Sequence, residues 1–180
     1  MKSLISRFRW PMYGLIAMTL SLVFVLASTI SAFAFTLLKI SSDPYTNTTS
    51  QHATEVEPDT FAFGSTIVSA FQVGRFFNGG ASDIGFATST NGGKSWTAGF
   101  LPGTTVNSTP PGPYLRASDA SVAFDAKHKV WLISYLGIKN PSGPVDVDVS
   151  RSTDGGLTWS PPVVVNASGH FNDKNWTACD

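Results

Sequence analysis

An eight-residue phrase occurs twice in this 180-residue chain and limits what the chain can fold into. Ser89-Thr90-Asn91-Gly92-Gly93-Lys94-Ser95-Trp96 returns 63 positions later as Ser152-Thr153-Asp154-Gly155-Gly156-Leu157-Thr158-Trp159. Each copy follows a run rich in β-formers and opens another. Glycine supplies φ > 0, and a short polar side chain accepts from backbone groups nearby, so the phrase reads as a hairpin turn. A capping bond of this kind contributes roughly 1 kcal/mol. The tryptophan adds an apolar face that can fold back over the turn. The turn positions are Ser89, Asn91, Gly93 and Trp96, with counterparts Ser152, Asp154, Gly156 and Trp159.

The flanking pattern predicts short strands at Thr60–Phe63, Thr66–Val73, Asp83–Ser89 and from Ser95. The same order returns at Ser121–Asp125, Val130–Leu136, Val145–Ser150 and Thr158–Val165, the last delayed by Pro161-Pro162. Glu57–Phe63, Asp119–Asp125 and Lys174–Asp180 occupy one slot without gaps, so three starts and two complete units are visible. The expected fold class is therefore all-β, built of β-propeller blades that are four-stranded antiparallel meanders. Blade one covers residues 57–99, blade two 118–166, and a third starts at 173–180. Two blades leave apolar faces exposed at both ends, which points to the N-terminal piece of a longer protein or a truncated reading frame. A small complete β-sandwich is the alternative.

The Ser-x-Asp-x-Gly-x-x-Trp pattern resembles the Asp-box, or BNR repeat, of sialidase-like β-propellers. Glu55-Val56-Glu57-Pro58-Asp59, Ser82–Ser89 and Asp173-Lys174-Asn175-Trp176 resemble blade edges of exported members, so the resemblance runs from about Glu55 to the C-terminus. It implies a six-bladed ring in which the box is a structural turn away from the active site. In true sialidases it implies an arginine triad on the substrate carboxylate, a Tyr/Glu nucleophile pair and an aspartic general acid. Here the Phe-Arg-Ile-Pro segment of many sialidases is absent, and Asn91 stands where Asp is usual. No catalytic residue carries over by motif.

Lys2, Arg7 and Arg9 precede an uncharged, mostly apolar run from Pro11 to Leu38, long enough for the roughly 20 residues of a spanning helix. Ala32-Phe33-Ala34 is a small-x-small cleavage site near its end. Residues 1–40 thus read as a hydrophobic helix: a retained signal anchor, a cleaved signal peptide, or a buried core helix. The basic flank places the N-terminus in the cytoplasm and the rest of the chain outside it, membrane-anchored or secreted. Residues 41–56, polar and without period, read as a linker. All twelve acidic residues lie from Asp43 onward against eight basic ones, so the exported part is mildly acidic and nucleic-acid binding is disfavoured. No metal site or cofactor is expected. The single cysteine, Cys179, sits in an apolar-polar alternation that favours burial. Asp146 and Asp148, two apart on a strand, read as a solvated face, with calcium the sharper alternative.

In a four-stranded meander the turn between strands one and two lies on the same side as the turn between three and four. The boxes therefore mark one face, and the long loops gather on the other, where functional groups belong. Arg75, Arg116 and Asp119 are the substrate-binding candidates there. Guanidinium binds a sugar carboxylate bidentately, and Asp119 can accept hydroxyls or act as an acid. Two functions stay open. One is an exported propeller that binds a glycan or cell-surface protein; the other is an exo-sialidase-type hydrolase with most catalytic residues in blades beyond this chain.

Overall fold

Eight strands form in the computed structural model, which describes residues 37–179. The hydrophobic segment read at 1–40 lies, as far as residue 36, outside the described residues. No helix among the described residues is long and apolar enough to cross a membrane. The first meander comprises β1 (Glu55–Phe63), β2 (Thr66–Arg75), β3 (Ala81–Ser89) and β4 (Thr97–Phe100). The second comprises β5 (Arg116–Asp125), β6 (Val130–Ile138), β7 (Val145–Ser152) and β8 (Val163–Asn166). The strands pair antiparallel, and one bridge, Ala81 to Ala117, joins the two meanders. All eight expected strands are present. β8 starts late because the box runs on to Trp159 and the two prolines that follow have no N–H for a ladder.

Both boxes fold as the sequence predicts. Ser89 Oγ accepts from Gly93 N at 2.8 Å and Ser152 Oγ from Gly156 N at 2.9 Å. Asp154 Oδ1 accepts from the amides of Leu157 and Thr158, both at 3.0 Å. Asn91 Oδ1 accepts from Ser95 N at 3.0 Å and its Nδ2 donates to Ser95 Oγ, so asparagine completes the turn. Each indole donates back, Trp96 to Gly93 O and Trp159 to Gly156 O, both at 3.1 Å.

The second box also joins the meanders. Thr88 Oγ1, on β3, donates to Gly156 O at 2.6 Å. A Cβ on Gly156 would stand 2.7 Å from Val68 Cγ2 and 3.0 Å from Thr88 Oγ1, so only glycine allows this approach. Around it lies the core: Val68, Ala70, Ile84 and Phe86 of the first meander against Val122, Trp131, Ile133 and Tyr135 of the second. Trp159 packs on Phe86 with ring centroids 5.8 Å apart. Each fully buried aliphatic or Phe side chain contributes about 1.5–3 kcal/mol.

Residues 40–54 are irregular but lie on the sheet. Ile40 and Tyr45 cover Phe71, Val73 and Ala87, on the face of the first meander turned from the second. Gly74 N donates to Thr54 O and Gln51 N to Arg75 O. That face, expected to be exposed, is covered by the chain's own lead-in segment.

The repeat extends to backbone irregularities. The β1–β2 register breaks between Val56 and Asp59, and the β5–β6 register between Ser118 and Ser121. At each break the first residue of the repeated slot has positive φ: Glu57 at 53° and Asp119 at 52°. Lys174, in the same slot of the third start, has φ 143°. The contacts repeat as well. Val122 N donates to Asp59 Oδ2 at 2.7 Å, and Thr177 N donates to Ser121 Oγ at 3.2 Å, one unit further on. The third start is unpaired as a strand through Cys179, yet it follows the second start as the second follows the first. Cys179 is exposed, against expectation; its slot is also the slot of exposed Ala62 and half-buried Phe124.

Gly155 and Gly156 both have φ 84°, but a Cβ on Gly155 meets nothing within 4 Å. Gly155→Ala is expected to cost ~1–2 kcal/mol from its backbone conformation alone. Gly156→Ala adds the overlap with Val68 and Thr88, for a total of ~2–5 kcal/mol. Urea unfolding of the two variants checks this, and equal losses would show that the approach to Val68 is immaterial.

Candidate functional site

The two ends of the meanders differ as the parity of the strands requires. Gly92 N, in the first box, donates to Ser65 O in the β1–β2 turn at 2.8 Å, so the box and that turn share one end. At the other end the β2–β3 loop, the long connector 101–115, the β6–β7 loop and residues 167–173 come together. Leu115 N donates to Ile138 O at 2.9 Å and Val145 N to His170 O at 3.1 Å.

Between these segments lies a cavity of about 220 Å³ bordered by Asn78, Arg116, Asp119, Leu136, Phe171 and Asp173. Arg116 begins β5 and is held on three sides. Its Nη1 donates to Asn78 Oδ1 at 2.7 Å and to Gly79 O at 3.0 Å, and its guanidinium carbon lies 4.4 Å from the centre of the Phe76 ring. Among the described residues no carboxylate pairs with it. Burial lowers its pKa, but a guanidinium remains charged at any physiological pH. Arg116 is thus a fixed, un-neutralised cation with donors to spare.

Asp119 reaches the same cavity from the bulge of β5. Its Oδ1 accepts from Ser118 Oγ at 2.7 Å, and its Oδ2 lies 3.9 Å from Lys174 Nζ. The structure therefore brings Arg116 and Asp119 to one cavity without pairing them. Arg75 does not border it. Its Nη1 donates to Gln51 Oε1 at 3.0 Å and its amide to Thr54 Oγ1 at 2.8 Å, which ties it to the lead-in segment. Sequence reasoning missed Asn78 and Phe76, the anchors of Arg116, because loop residues give no periodic signal. It also passed over Glu57 and Lys174, although both share the slot of Asp119.

Asp146 and Asp148 are not on a solvated face: they are 6% and 0% exposed. Their side of β7 carries Ser150 and Ser152 and lies beside Gly137 and Tyr135 of β6, turned towards the first meander. Tyr114 Oη donates to Asp146 Oδ2 at 3.0 Å and Lys139 Nζ lies 2.8 Å from the same oxygen. The Lys139 hydrogen bond is the main reason the Asp146 carboxyl is held below its usual range. Neither oxygen of Asp148 has a hydrogen-bond partner among the described residues. Burial pushes its pKa up to about 6, partly offset by the neighbouring Tyr114 hydroxyl. Asp83, the counterpart of Asp146 in the first meander, is fully buried and accepts from Tyr45 Oη at 2.7 Å. Burial pushes it up to about 7, against the hydrogen bonds from Tyr45 and Ile84 N. A tyrosine ahead of each meander thus sits on the aspartate of its third strand. No group of three or more potential ligands among the described residues forms a metal site.

The structure is similar to a Hadza microbial sialidase, with TM-score 0.46 and 20% identity over 60% of this chain. It is also similar to two structures of exo-β-1,3-galactanase from Phanerochaete chrysosporium, each with β-1,3-galactotriose, with TM-scores 0.42 and 0.40. These match at 15% and 16% identity over 71% and 69% of this chain. The chain spans 25%, 30% and 29% of the lengths of these three proteins. No family model matches the sequence, and no curated protein matches it.

The two raised carboxyls set a pH dependence. Folded Asp83 and Asp148 keep protons that the unfolded chain, near 3.8, gives up. Their contribution to stability is complete below that value and is lost as pH rises through about 6 and then about 7. Asp154 has the opposite sign. Burial would raise it, but hydrogen bonds led by Thr158 Oγ1 hold it at about 2, so it acts only in stronger acid. Urea midpoints should therefore fall from pH 4 to pH 8, and Asp83→Asn should flatten the slope. An unchanged slope in that variant would remove Asp83 as its source.

Proposed function

We propose that the two meanders are consecutive blades of a sialidase-like β-propeller, with a third begun at residues 173–180, and that the propeller binds an acidic glycan at the Arg116 cavity. Support for the blade reading comes from the repeated boxes, the repeated bulges and the repeated contact between starts. The observation that carries the ligand is Arg116, fixed by Asn78, Gly79 and Phe76 beside a cavity and neutralised by no carboxylate among the described residues. A guanidinium so placed suits a sugar carboxylate, which it can bind through two parallel hydrogen bonds. Asp119 and Asn78 add partners for hydroxyl groups, and Phe171 and Leu136 give the cavity an apolar wall. The basic residues Lys2, Arg7 and Arg9 before the uncharged run support an exported module held at the membrane or released from it.

Titration of the full chain with 3′-sialyllactose and with lactose tests this reading. The acidic sugar is expected to bind and the neutral one to bind at least tenfold more weakly. Arg116→Ala should remove the difference, a loss of about 1.4 kcal/mol or more. Arg116→Lys should recover only part of it, since an ammonium keeps the charge but not the planar fork. Equal binding of both sugars, or an unaffected Arg116→Ala variant, would sink the proposal.

A further inference from the structure

The slot that opens each of the three starts places three charged side chains at one further cavity. Glu57, Asp119 and Lys174 border a space of about 190 Å³ together with Asp59 and Trp176. At ~30 Å³ per water this is room for about six waters, enough for one end of a small ligand. Glu57 and Asp119 share one left-handed conformation, uncommon for a residue other than glycine, at matching register breaks, so the two carboxylates leave their strands in the same way.

The groups at this cavity are not equivalent. Asp59 is consumed by the fold, since its oxygens accept from Thr60 N at 2.9 Å and Val122 N at 2.7 Å. Glu57 is aimed from behind: Gln72, only 2% exposed, donates from Nε2 to Glu57 Oε2. Asp119 is aimed likewise by Ser118 Oγ. Two held carboxylates thus border the same cavity as one ammonium, that of Lys174. It lies 3.9 Å from Asp119 Oδ2 and 5.7 Å from the centre of the Trp176 ring, which is itself 69% exposed. A carboxylate and the face of an indole are the two partners an organic cation seeks. Their combined negative field disfavours an anion here, in contrast to the Arg116 cavity.

We propose that this cavity binds a small ligand through a protonated primary amine, with the Lys174 ammonium occupying that place in the free protein. The ligand's ammonium displaces Lys174 from Asp119 and Trp176, and Glu57 accepts a second hydrogen bond from the ligand. The site shares Asp119 with the Arg116 cavity but is tested separately from the acidic-glycan reading, because it calls for the opposite charge and a different probe.

Titration of the full chain with glucosamine, followed by calorimetry or by indole fluorescence, is the test. N-acetylglucosamine, the same ring without the charge, is the control. Glucosamine is expected to quench or shift the indole signal and N-acetylglucosamine to leave it unchanged. Lys174→Ala removes the resident ammonium and should tighten glucosamine binding severalfold. Trp176→Leu and Glu57→Gln should each weaken it at least threefold. Lys174 and Trp176 are exposed, so thermal melts of their variants should match the parent and keep the comparison sound. Equal affinity for the two sugars, or weaker or unchanged binding in Lys174→Ala, would overturn the proposal. So would the lack of any glucosamine binding at millimolar concentration.

Discussion

The approach of Gly156 to Val68 and Thr88 is the contact on which the arrangement of the two meanders depends. A box turn would satisfy its own hydrogen bonds in isolation, and the first box does so with Trp96 half-exposed. In the second box the same turn is pressed against the preceding meander, and Trp159 becomes buried against Phe86. The turn therefore acts at two levels. Its Ser and Asp close a hairpin, and its glycine lets the backbone approach a neighbour closely enough for Thr88 to donate to it. A methyl group at that position would separate surfaces that carry much of the core.

That joint brings polar chemistry inside with it. Asp83, Asp146 and Asp148 are all buried, and burial of a carboxylate is unfavourable unless it is paired or protonated. The chain uses both solutions. Asp146 has Lys139 and Tyr114, while Asp83 has Tyr45 and a pKa near neutrality. Tyr45 and Tyr114 lie in segments without regular structure, yet they take matching places on successive meanders. The segment ahead of β1 is thus part of the folded unit, and it covers a face that would otherwise be apolar and bare.

The same repetition sets out the two cavities at the end away from the boxes. Asp119 borders both because it stands at the bulge of β5, close behind Arg116 at the start of the same strand. One cavity is dominated by a fixed guanidinium and the other by two carboxylates. Opposite charge preferences a short distance apart along one surface are what a ligand with mixed charge, or two different ligands, would meet.

By itself the sequence determined the strands, the two turns and the repeat, because each rests on local rules. Alternation marks a strand, glycine with a short polar residue marks a hairpin, and a gap-free alignment marks the repeated start. Parity along the meander also places the loops at the end away from the boxes, and with them Arg116 and Asp119. What depends on contacts between distant residues was not legible. Asp146 and Asp148 alternate as a solvated face would, and only the first meander packed over them makes that face an interior. Arg75 and Arg116 looked alike in sequence; Gln51 and Thr54 hold one while Asn78 and Phe76 fix the other beside a cavity. Tyr45 in a stretch read as a spacer, and Trp176 beside Lys174, gain their meaning in the same way. Periodicity records which way a side chain points from its own strand, and the tertiary structure decides what stands opposite it.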